Sequence, residues 1–177
     1  MKYFKPFIPF IACWILLFNS NNFQSVALIN GIGQLVLFLF VVCIPIWRTG
    51  RMSYVDIGWP LGVALIGIIT MILSKNVSPK IILMSSAYMI IGFRMGIGIL
   101  NMWRLGLLRK EFSRYQYQKI RWKKSKKKNT QLAQQVDAIS QGFANATFLS
   151  LPALMIWADS NVLNYVNNII VLEFVCL

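Results

Sequence analysis

Residues 26–47 read VALINGIGQLVLFLFVVCIPIW, 22 positions without one charged side chain. A helix rises 1.5 Å per residue, so about 20 such residues cross the hydrocarbon core of a bilayer. A buried strand or soluble core helix has no need of so long an uncharged run. This segment therefore predicts a membrane span, and the rest of the chain is read outward from it.

Toward the N-terminus, residues 3–18 form a shorter apolar stretch broken early by Pro6 and Pro9 and preceded by Lys2 and Lys5. Asn19-Ser20-Asn21-Asn22 supplies no small-residue cleavage site, which favours an uncleaved anchor over a signal peptide. Toward the C-terminus, further apolar segments follow at 54–73, 81–103, 138–157 and 162–177. No strand alternation or internal repeat interrupts them. The expectation is an all-α, multi-pass transmembrane helical bundle: one membrane domain over 1–177 with five to six membrane helices. The composition agrees, with 57% hydrophobic residues against the 45–50% of an average soluble domain. Mean hydropathy is +0.60.

The net charge is +13, and 11 of the 18 Lys and Arg residues lie between Arg104 and Lys128. Cations are retained in cytoplasmic loops. Placing 104–137 in the cytoplasm also puts Arg48, Arg51 and the N-terminus with Lys2 and Lys5 there. Only Lys75 and Lys80 then face outward, and Arg94 lies within a helix. The predicted location is an inner cell membrane. Arg104–Trp122 is rich in helix formers and predicts a continuation of the fourth apolar helix into the cytoplasm. Lys123–Lys128 reads as a basic loop. The strip Lys119–Lys128, tethered between membrane helices, fits anionic lipid headgroups, at about 1 kcal/mol per cation. That tether argues against nucleic acid as its partner.

The chain has no histidine, which removes the commonest general base and metal ligand. Cys13, Cys43 and Cys176 stand alone in apolar runs, with no metal-ligand or redox spacing. No metal site is predicted, and no glycine pattern matches a nucleotide-binding fingerprint in the right context.

Charges inside apolar segments need a partner, an escape to the surface or a wet cavity. By residue counting Asp56 lies roughly 3 Å deep and Arg94 roughly 9–14 Å deep from the same surface. An Asp56–Arg94 pair is the expectation, either fixing helix packing or marking a polar pocket open to the cytoplasm. Gly58–Gly62 and Gly92–Gly96 each place small residues one turn apart, which predicts close contact between those two helices. Gln141 and Asn145, with Ser140 and Thr147 nearby, share a face that should point inward.

Residues 51–157 resemble a family of bacterial membrane proteins related to steroid 5-alpha-reductases and, more distantly, to isoprenylcysteine methyltransferases. Ser53-Tyr54-Val55-Asp56-Ile57-Gly58-Trp59-Pro60-Leu61-Gly62 is similar to its Val-Asp-x-x-Trp-x-x-Gly helix start. Gly92-Phe93-Arg94-Met95 resembles its Gly-x-Arg-Leu turn. Glu111-Phe112-Ser113-Arg114-Tyr115 with Arg121 resembles its Glu-Asp-x-Arg-Tyr-x-x-x-Arg element, although Phe112 replaces the second acid. Gln141-Gly142, Asn145 and Leu151-Pro152 fit its next helix. The resemblance implies reduction by NADPH of a carbon–carbon double bond in a steroid- or lipid-like enone. It also implies a polar pocket at Asp56, Arg94, Gln141 and Asn145, and cofactor contacts at Glu111, Arg114 and Tyr115. A typical relative carries an Arg-His-Pro-x-Tyr motif near its end, absent here for want of histidine. The match breaks off after Glu173, so the chain reads as the N-terminal half to two-thirds of a longer enzyme, inactive alone. The alternatives are a non-catalytic membrane protein, whether a remnant or a helper subunit, and a methyltransferase-like relative using S-adenosylmethionine.

Overall fold

The computed structural model describes residues 7–19, 24–74, 79–124 and 130–155. Every regular element among them is helical, and no strand occurs among the described residues. Three helices are long and apolar enough to cross a membrane: Gln24–Thr49, Met52–Leu73 and Pro79–Arg104. We call these α2, α3 and α4. Ile8–Phe18, the shorter apolar α1, precedes them. After them come α5 (Ser113–Lys124), α6 (Thr130–Ala146) and α7 (Leu151–Met155).

Within α2 the ladder widens to a π turn over Leu39–Cys43, where the Ile44 N–H reaches back to the Leu39 carbonyl. Pro45 follows directly. It has no N–H to give the preceding turn, and a wide turn there accommodates its ring. The helix ends at Gly50, whose φ of 67° lets its N–H return to the Ile46 carbonyl at 2.7 Å.

α3 is the central element. Gly58, Pro60, Gly62, Ala64 and Gly67 keep its surface shallow, and it is buried on several sides. α4 packs along it most extensively. Its buried stripe is narrow and mostly small: Ile81, Ser85, Gly92 and Gly96. A Cβ at Gly92 would collide with the backbone of Ala64 and with the Pro60 carbonyl oxygen, so this crossing requires glycine. Gly58 and Gly62 look elsewhere. Gly58 meets Val42 and Phe38 of α2, while Gly62 lies under the amides of Gln34 and Asn145. The two small-residue pairs therefore serve two interfaces rather than one.

Two apolar clusters close the ends of the bundle. One gathers Phe38, Val42, Ile46, Met52, Tyr115, Trp122 and Ala138 beside Gly50. The other joins Leu17, Val26, Ala27 and Leu154 at the opposite end. Much of the remaining surface is apolar and exposed, including Ile32, Val36 and Phe40 on α2 and Leu83, Ile90 and Ile97 on α4. Such a girdle suits lipid better than water.

Two expectations need correction. The segment 104–122 does not prolong α4. The chain breaks at Gly106, with φ 74°, passes a 3-10 turn at Leu107–Arg109, and returns as α5. Tyr115 and Trp122 anchor α5 in the core, so the aromatics flanking the cations decide its course. The segment 138–157 is not one helix either. α6 starts at Thr130, uses a polar first half, and gives way at 147–150 before α7. Pro152 has no N–H for a continuing ladder. The segments 162–177 and 125–129 lie outside the described residues, as does the start of the segment at 3–18.

Candidate functional site

The site forms where α5 returns beneath the first turn of α3. Glu111, in the link before α5, fixes the approach. Its Oε1 accepts the N–H groups of Met52 at 2.6 Å and Ser53 at 3.2 Å. These are donors that the first turn of a helix leaves unpaired, and a carboxylate is the natural acceptor there. The other oxygen of Glu111 pairs with Lys119, eight residues along α5. Lys119 Nζ also donates to the Gly50 carbonyl at 2.7 Å, and Gln134 Nε2 donates to the same oxygen at 2.9 Å. The end of α2, the start of α3, α5 and α6 are thus tied at one point.

Asp56 sits one turn further on. Its Oδ1 accepts from Arg114, in an ion pair, and from Tyr115 Oη at 2.9 Å. The Asp56 side chain is 13% exposed and that of Arg114 is 62% exposed. The guanidinium lies 4.7 Å from the centroid of the Tyr115 ring, so a cation–π contact accompanies the charge pair. Burial pushes the Tyr115 phenol above its ordinary value, and neighbouring Arg114 opposes the rise. The phenol is accordingly a donor at neutral pH. Asp56 Oδ2 is buried and has no hydrogen-bond partner.

Beside this carboxylate opens a cavity of about 600 Å³. Val55, Trp59, Pro60, Met95, Ile99, Met102 and Phe112 form its apolar wall, and Asp56, Arg114, Tyr115 and Gln141 its polar end. Trp59 Nε1 donates to Gln141 Oε1 at 2.9 Å, which fixes the indole as one wall. Beneath it runs a buried amide ladder. Asn145 Nδ2 donates to the Trp59 carbonyl at 3.4 Å, Gln34 Nε2 to the Gly62 carbonyl at 2.8 Å, and Asn30 Nδ2 to the Ala146 carbonyl at 3.3 Å.

The sequence-derived residues divide accordingly. Asp56, Gln141, Arg114 and Tyr115 line one cavity. Asn145 points inward as expected, fully buried, but one layer below it. Glu111 is a brace beneath the cavity. Arg94 is exposed on the outer side of α4, and the partner of Asp56 is Arg114 instead. Lys119, Trp59, Asn30 and Gln34 went unassigned to the site. Asn30 and Gln34 are four apart in an otherwise apolar span, the same signal that marked Gln141 and Asn145.

The three residues expected to contact a cofactor lie together at the start of α5, each with partners within the protein. Glu111 is acidic and already holds two N–H groups and Lys119, while Arg114 holds Asp56. Among the described residues no group of three His, Cys, Asp or Glu side chains is placed to hold a metal ion. No protein family, curated protein or solved structure matches the chain.

Proposed function

We propose that the chain is a multi-pass protein of a cell membrane whose cavity holds a lipid-like molecule by an oxygen-bearing head, at the cytoplasmic surface. The observation that carries this is the cavity itself: a wall of Trp59, Met95, Ile99 and Met102 leading to a polar end of Asp56, Arg114, Tyr115 and Gln141. Its volume suits a small amphipathic ligand. A hydroxyl head would donate to the Asp56 carboxylate, and a carbonyl head would accept from the Arg114 guanidinium. The clustering of cations in 104–128 supports the cytoplasmic placement, and the apolar character of 138–157 and 162–177 supports five to six crossings. Anionic headgroups at Lys119–Lys128 fit the same orientation.

Reduction of a lipid-like enone is the activity the resemblance implies, with NADPH supplying the hydride when bound. The exposed guanidinium of Arg114 would be its phosphate contact, beside Glu111 and Tyr115. A non-catalytic binding protein is the second reading, favoured by the engagement of both carboxylates in structural pairs.

One titration separates these. Trp fluorescence of the protein in nanodiscs is followed while a long-chain enone, or its allylic alcohol, is added. Saturable binding is expected, weakened about tenfold by Asp56→Asn through loss of a charged hydrogen bond. A response that does not saturate, or that ignores the substitution, would refute the binding site. Enone-dependent loss of NADPH absorbance would favour the reductase, and binding without it the second reading.

A further inference from the structure

The cavity opens at its polar end, where the Arg114 side chain is 62% exposed, and again along one flank of its apolar wall. α4 and α6 both pack on α3, and the space lies between them over Trp59 and Pro60. Its wall on α4 runs from Met102 to Met95, about 10 Å along the helix.

Beyond that length most directions are shut among the described residues. The seam between α3 and α4 closes at Gly92, where not even a methyl group would fit against the backbone of Ala64. Toward α6, Gln141 is held by the Trp59 indole, and the fully buried Asn145 fills the layer below. Further along α4, the Tyr88 hydroxyl crosses to the Leu149 carbonyl, donating at 2.6 Å where α6 gives way to α7.

The flank at Met95 differs. This side chain lines the cavity and is also 54% exposed. Ile91, one turn away on the same face of α4, lies outside the cavity and is exposed too. The cavity wall therefore runs without a break into the apolar outer surface of a helix long enough to cross a membrane.

We infer that Met95 marks an exit for the ligand's tail: the cavity holds the head and the first part of the chain, and the remainder lies in the bilayer along Ile91. The ligand class is then a long-chain membrane lipid, selected by its head and indifferent to the length of its tail. This rests on the reading that the cavity takes an amphipathic ligand. A tail that leaves past Met95 exchanges lipid neighbours for lipid neighbours, so added methylenes contribute nothing to affinity. An enclosed pocket would instead reject chains longer than itself, because overfilling a packed space is unfavourable.

The test uses the full chain in nanodiscs and two probes with one head, allylic octenol and allylic octadecenol, dosed per lipid. Trp fluorescence should saturate with both, at midpoints within about twofold of each other. Cys13, Cys43 and Cys176 are then replaced, and a bimane fluorophore is attached at Ile91→Cys or, on another exposed face of α4, at Ile97→Cys. Octadecenol brominated at mid-chain should quench the Ile91→Cys label saturably and the Ile97→Cys label only in proportion to dose. Adding Asp56→Asn should move the saturable quenching to about tenfold higher dose. Equal quenching of the two labels would overturn the exit while leaving the cavity as a binding site. Octadecenol failing to bind where octenol does would overturn it in the same way. Failure of both alcohols to bind would refute the cavity as a lipid site, and the exit with it.

Discussion

Asp56 receives a phenol and a guanidinium supplied by consecutive residues of α5, and this small arrangement closes the cavity. Sequence alone made Asp56 a group in need of a partner and chose Arg94, since only residues on apolar helices had assignable depths. The turn at Gly106, which brings Arg114 back, has no signature in hydropathy. Tyr115 makes the arrangement testable by pH. Burial raises its pKa above the ordinary 10.0, so the folded state keeps the phenolic proton longer than the unfolded state. The hydrogen bond is whole below that ordinary value and is lost as pH rises through the higher folded one. Tyr115→Phe should lower stability near neutrality by about 1 kcal/mol. The wild type should lose more stability than this variant as pH rises past about 10, read by thermal melts in detergent. Identical pH slopes would show that Tyr115 is not buried against Asp56.

At the scale of elements, α2, α3 and α4 were legible because a span must be long and predominantly apolar, and each is. Their contacts were only half legible. Glycine spacing marked close approach without saying which helix approaches, and Gly58–Gly62 proved to face α2 and α6 rather than α4. The division of α6 from α7 was hidden because the apolar run ignores the break near Pro152. Two glycines of α4 give opposite expectations. Gly92→Ala forces a methyl into the α3 backbone and should cost about 1–3 kcal/mol. Gly98→Ala meets nothing and should be neutral, or stabilising by up to about 1 kcal/mol through helix propensity. Melting of a fluorescent fusion in detergent measures both. Equal effects would mean that α3 and α4 cross elsewhere.

For the molecule as a whole, composition and charge distribution spoke earliest: apolar helices, an exposed apolar girdle, and cations gathered beyond one end. Half of the candidate site is legible in the same terms, since Asp56 and Gln141 are polar residues within apolar segments, whereas Arg114 and Tyr115 were marked only by the resemblance. The amide ladder through Asn30 and Gln34 was overlooked because neither side chain carries a charge, and charge was the mark of a misfit in that span. The proposal that unites these features is a bilayer-spanning chain with α5 and its cavity on the cytoplasmic side. The most direct test is thiol labelling in intact cells, with the three native cysteines replaced and one cysteine placed at Lys80 or at Lys123, both exposed. An impermeant maleimide should modify Lys80→Cys from outside and reach Lys123→Cys only after the membrane is opened. Labelling of both from outside, or of Lys123→Cys alone, would contradict the account.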